Sequence, residues 1–146
     1  MKKVYLDTGR TTKKKEYESF EVEISFVQMY VDVNDVFHKL RYASSMHLII
    51  WIVTNMDRYN QIYLNKSNRS DFLSSCRGKY KDSTVKSAIR ELQNANLIIN
   101  MSDSNKREAQ YMVNPSYFWK TANQKDRIEA IRGYRYKIKE NEAKEN

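Results

Sequence analysis

Apolar and polar residues alternate between Phe20 and Val33, with Phe20, Val22, Ile24 and Phe26 on one parity and Glu21, Glu23 and Ser25 on the other. That period of two predicts a strand with one wet face. The pattern then lengthens. Asn34 is placed to cap a short helix through Leu40 or Arg41, with Val36, Phe37 and Leu40 as its apolar face. Ser44 or Ser45 is placed to cap a second helix to about Asp57. Its Met46, Leu48, Ile49, Ile50, Trp51, Ile52 and Val53 leave almost no polar face, as expected of a central helix. Ile62-Tyr63-Leu64 reads as a short strand, and Ser67 or Asn65 opens a helix to about Ser75.

The clearest periodicity comes next. Val85, Ala88, Ile89 and Leu92 recur at i, i+3, i+4 and i+7, one face of a helix running from Asp82 to Asn94 with Asp82 as its N-cap. The turn before it contains Gly78, which tolerates backbone conformations closed to other residues. Leu97-Ile98-Ile99 and Gln110 to Asn114 read as two strands around the polar turn from Ser102 to Glu108, and Pro115 stops the second. Ser116 to Lys120 reads as a helical turn. A long helix then runs from Thr121 or Asn123 to about Lys144, with Ile128, Ile131, Tyr134 or Arg135, and Ile138 along its stripe. The fold class expected is α+β and helix-rich: a winged helix-turn-helix with an N-terminal strand and helix extension and a long C-terminal helix. Its divisions are a basic arm at 1–18, a DNA-binding unit at 19–120 and a C-terminal helix at 121–146.

Charge sharpens the reading. The 146 residues carry a formal net charge of +8, and it is unevenly spread. Residues 1–15 net +5, residues 65–90 net +5, and residues 16–64 net −4. A basic segment coinciding with a helix-turn-helix order favours nucleic acid as partner. With Val85, Ile89 and Leu92 inside, the helix turns Ser83, Thr84, Lys86, Ser87 and Arg90 outwards. Hydroxyls suit base edges and phosphates, Arg suits bidentate contact with guanine, and Lys suits phosphate. Lys81 in the preceding turn and Lys106 and Arg107 at the hairpin tip complete the candidate contact set, Asp82 being read as a cap rather than a contact. The partner expected is double-stranded DNA, bound by a homodimer formed through the 20–33 strand or the C-terminal helix. A competing reading is a protein-interaction module in which the same charge serves solubility.

Other chemistry finds little footing. Cys76 is the only cysteine, so neither an internal disulfide nor a Cys-rich zinc site is expected, in keeping with a reducing cytoplasm. His38 and His47 do not form a His-x-His pair, and Gly9, Gly78 and Gly133 make no phosphate-binding loop. No catalytic residue, metal ligand or cofactor is expected. The longest apolar run, Leu48 to Val53, is far short of the ~20 residues that span a bilayer, so no membrane partner is expected either.

Three segments carry a resemblance. Thr84-Val85-Lys86-Ser87-Ala88-Ile89-Arg90-Glu91-Leu92, Leu97-Ile98-Ile99 and Tyr111-Met112-Val113-Asn114-Pro115-Ser116-Tyr117-Phe118-Trp119-Lys120 resemble small plasmid replication initiators of the RepL type and related phage and plasmid winged-helix regulators. The Asn114-Pro115 and aromatic segment is its most specific part, and Thr121 stands where the family often has Gly. The resemblance spans about residues 44–121. It implies binding at an origin or operator, as initiator or repressor, and recruitment of host replication proteins.

Overall fold

The computed structural model describes residues 2–7, 17–22, 26–102, 109–121 and 123–145. Among these residues it is an α+β structure of five helices and small antiparallel sheets. Strand β1 (Lys2–Asp7) pairs with β2 (Tyr17–Val22), Lys2 opposite Val22 and Asp7 opposite Tyr17. Part of the expected basic arm therefore forms a strand, and the division at residue 18 falls inside β2. The strand expected over 20–33 is also divided. β2 ends at Val22, and β3 (Gln28–Met29) takes a different partner, β7 (Phe118–Trp119), with Gln28 opposite Trp119. Alternation fixes which side chains share a face, but not which strand supplies the hydrogen bonds. Ser116 to Lys120, expected as a helical turn, instead provides β7.

Helix α1 (Val33–Phe37) is shorter than expected and starts two residues earlier, with Asp32 rather than Asn34 at its N-cap and with Val33 and Val36 as the positions it buries. Asn34 lies inside it. Helix α2 (Ala43–Asn55) has Tyr42 at its N-cap, without a side-chain cap of its own. The expected caps Ser44 and Ser45 are buried within its first turn. It turns Leu48, Ile49, Ile52 and Val53 into the core and leaves Ile50 half exposed, so it is more one-sided than its composition suggested.

Strand β4 (Gln61–Tyr63) leads into α3 (Lys66–Ser75), capped by Asn65, whose Oδ1 accepts the Asn68 N–H at 2.9 Å. Arg77 and Gly78 both take left-handed φ, +53° and +77°, and turn the chain into α4 (Asp82–Asn94). Asp82 is the first residue of α4, not its cap; Lys81 holds that position. The far end closes on Asn96, φ +61°, with Leu97 N–H donating to Leu92 O and Asn96 N–H to Gln93 O. Those two bonds satisfy the last carbonyls, and the buried Leu92 and Leu97 belong to one core.

Strands β5 (Ile98–Asn100) and β6 (Gln110–Val113) follow, in a sheet of order β4-β6-β5. Its side chains alternate between two cores. Ile98, Tyr111 and Val113 join the main core with α2, α3 and α4. Ile99 and Met112 face Tyr134 of α5 (Gln124–Glu145). Asn123 opens α5 by accepting the N–H groups of Lys125 and Asp126. Of the expected stripe, Tyr134 is buried and Ile138 packs beside it, while Ile128 stands exposed.

Candidate nucleic-acid interface

Helix α4 is held from behind on three sides. Val85, Ala88, Ile89 and Leu92 lie in the main core against α2 and α3, all nearly inaccessible. Each large one contributes about 2–5 kcal/mol against Ala at such a site. This burial fixes the rotation of α4 about its axis and turns the opposite face to solvent. Ser83, Lys86, Ser87 and Arg90 are exposed there, Thr84 is half-buried, and Lys81 is exposed at the N-cap.

Two acidic residues on α4 are already engaged. Asp82 Oδ1 accepts from Arg69 Nε at 3.0 Å, and Asp82 Oδ2 lies 3.6 Å from Lys86 Nζ. The Arg69 hydrogen bond, with the Lys86 charge nearby, holds the Asp82 carboxyl below its ordinary range. Lys86 itself remains 61% exposed, so its ammonium is loosely tethered rather than sequestered. Glu91 Oε1 accepts the backbone N–H of Arg41 at 3.1 Å and of Tyr42 at 3.2 Å. A carboxylate from α4 thereby caps the start of α2, which lacks a cap of its own and sits about 50 residues earlier. The positive end of the α2 dipole is thus spent on Glu91.

This contact brings the α1–α2 junction beside the outward face of α4. Lys39, Arg41 and Tyr42 form one wall of an open groove of about 440 Å³, and Ser87, Arg90 and Asn94 form the other. A smaller cleft of about 290 Å³ adjoins it, lined by Tyr42, Ser44, Ser83, Thr84 and Ser87. Hydroxyls thus gather at the N-terminal half of α4, and three cations, Lys39, Arg41 and Arg90, at its C-terminal half. Sequence reasoning found the α4 residues but missed Lys39, Arg41 and Tyr42. The signal was present as a basic and aromatic cluster, but it lies in a segment netting −4, and only the fold brings it to α4.

Behind the groove, Tyr80 stacks on Phe72, ring centroids 6.4 Å apart, and its hydroxyl hydrogen-bonds His47 Nδ1 at 2.7 Å. His47, on α2, is thus engaged in holding the turn before α4. Asn114, within the most specific segment of the sequence resemblance, is buried and structural. Its Nδ2 donates to Asn96 O at 2.9 Å, its Oδ1 accepts from Ser116 N–H, and its own N–H donates to Leu97 O. It ties the exit of α4 to the end of β6. Lys106 and Arg107 lie outside the described residues. Met101 N–H donates to Gln110 O at 2.7 Å, beside the last residues of β5 and the first of β6.

Among the described residues, no cluster of three His, Cys, Asp or Glu side chains could hold a metal ion, and no helix is long and apolar enough to cross a membrane. No protein-family model matches the chain, and no curated protein matches it in sequence.

Proposed function

We propose that the chain binds double-stranded DNA sequence-specifically as a winged helix, with α4 as the reading helix and the β5–β6 hairpin as the wing. The observation that carries this is the exposed face of Ser83, Lys86, Ser87 and Arg90, with the half-buried Thr84 beside them, turned outward by a buried opposite face. A major groove about 12 Å wide admits such a helix. The order helix, short strand, helix, turn, helix and hairpin from α2 to β6 supports the reading, because a winged helix needs those parts in that order. The groove cations Lys39 and Arg41 add backbone contacts at the C-terminal end of α4, and Lys81 adds one at its start. Lys106 and Arg107 are the proposed wing contacts.

The biological site proposed is an origin or operator of a plasmid or phage replicon, with recruitment of host replication proteins where the chain acts as initiator. A second copy joined at the outer edge of β3, where Met29 and Val31 stand exposed, would present two reading helices to a two-fold site. Light scattering checks that arrangement.

The test is selection of bound duplexes from a random library, followed by affinity measurements on the selected site. Replacing Lys86 and Arg90 together by Ala abolishes the sequence preference while the thermal melt is retained. Wild-type affinity and preference in that double variant overturn the assignment of α4.

A further inference from the structure

Helix α5 carries a second charged surface that the α4 interface does not use. Tyr134, Ala130 and Ile138 pack its inner side against β5 and β6. Opposite it, Lys125, Ile128, Arg132, Arg135 and Lys139 follow one another at steps of three or four residues, and Tyr136 stands four beyond Arg132 and three before Lys139, so the six share one face. All six are exposed, Tyr136 to 71% and Ile128 to 51%. The exposed Glu129 and Glu142 border this set on its two sides, and neither lies within it. Among the described residues, none of its four cations has an ion-pair partner, whereas the neighbouring Lys137 and Lys144 both pair with Glu140. The face extends for about 21 Å at 1.5 Å per residue.

We infer that this face of α5 binds single-stranded nucleic acid. Four cations in a row without ion-pair partners suit a polyanion of matching reach. The same row opposes α5 pairing with α5 of a second copy, because like charges would meet across the seam. The exposed Tyr136 ring between Arg132, Arg135 and Lys139 is what selects a single strand over a duplex. An unpaired base can stack on a phenol ring while the cations hold its backbone, whereas paired bases keep their faces buried in the helix. The inference is independent of the α4 assignment and extends it: a chain that holds duplex on one side could hold an opened strand on the other.

The experiment uses the full chain and a fluorescent poly-dT strand of about 20 nucleotides, with anisotropy as readout and poly-U of the same length to separate DNA from RNA. The charge-reversal variant R132E/R135E/K139E loses at least about tenfold in strand affinity. Tyr136→Ala, which leaves every charge in place, loses about five- to tenfold with an unchanged salt slope. Both keep wild-type affinity for the duplex selected above, and K86A/R90A shows the converse loss. Unchanged strand affinity in both α5 variants overturns the inference. So does equal loss of strand and duplex, which would make α5 part of a single duplex interface. Binding of the wild type to phosphatidylserine vesicles, lost in the charge reversal while poly-dT binding stays unchanged, overturns it in favour of a membrane surface.

Discussion

Arg69 of α3 reaches across the turn to Asp82 at the head of α4, its Nε donating to Asp82 Oδ1 at 3.0 Å while its Nη1 donates to Leu64 O at 2.8 Å. One guanidinium thus ties the two helices together and occupies the carboxylate nearest the proposed reading face. Arg69→Ala removes both bonds and costs about 1–3 kcal/mol in urea unfolding. Asp82→Asn keeps an acceptor for Arg69 and costs less, about 1 kcal/mol. It also frees Lys86 and removes a negative charge beside the proposed phosphate path, so duplex affinity rises several-fold at low salt. The Asp82 carboxyl is held below its ordinary value, so its contribution to stability is present above pH 3.8 and fades as pH falls through the lowered value. Urea midpoints of wild type and Asp82→Asn therefore converge in acid, and a gap that widened there would contradict the pairing.

Glu91 caps α2 from another helix. Glu91→Ala leaves the N–H groups of Arg41 and Tyr42 without an acceptor and lowers stability by about 1 kcal/mol. Amide exchange localises the effect: protection falls in the first turn of α2, while the core of α4 keeps its protection. A uniform loss across both helices would show that Glu91 acts through general packing instead.

Lys39 and Arg41 line the groove beside Arg90. If they hold phosphate there, Lys39→Ala and Arg41→Ala each reduce the slope of log affinity against log salt by about 1. The loss is the same for selected and unrelated duplexes, since backbone contacts carry no sequence information. A loss confined to the selected site would mean that they read bases.

Asn114 is a structural staple rather than a contact. Asn114→Ala breaks its bonds to Asn96 O and to Ser116 N–H in a buried setting and costs about 2 kcal/mol. Asn114→Asp keeps the acceptor for Ser116 but loses the donor to Asn96. Chemical denaturation of the two variants apportions the cost between the bonds, and duplex preference measured on the remaining folded protein stays that of wild type.

Tyr134 hydrogen-bonds Asn96 Oδ1 at 3.1 Å from within the second core, and burial pushes its phenol well above the ordinary value of 10.0. Tyr111 moves the same way for the same reason. A raised folded-state value means that the stabilisation is complete below pH 10.0 and is lost as pH climbs towards it. Urea midpoints between about pH 9 and about pH 11 therefore fall, and they fall less in Tyr134→Phe, which starts about 1 kcal/mol lower for want of its hydrogen bond. Equal slopes would place the alkaline sensitivity elsewhere.

What the sequence determined by itself was set by neighbours within a turn or two. The spacing of Val85, Ala88, Ile89 and Leu92 defined α4 and the rotation of its polar face, because burial of one stripe leaves only one outward set. Asn65, one of two caps the sequence offered, and Asn123, one of two starts it offered for the last helix, both cap N–H groups only two or three residues away. Local pattern misled where a distant partner competed. Ser44, Ser45 and Asp82 look like caps, but Glu91 caps α2 from across the fold, and Arg69 claims Asp82. The alternation over 20–33 could not announce that β3 pairs with β7 about 90 residues later. Only the tertiary structure brought Lys39 and Arg41 to the side of Arg90, and only packing of Tyr134 against Ile99 and Met112 decided which face of α5 stays open. The physical reason is the same each time. A helical stripe or a cap is chosen by energies local to a few residues. A long-range contact is chosen by which of several chemically suitable partners the closed core brings within bonding distance.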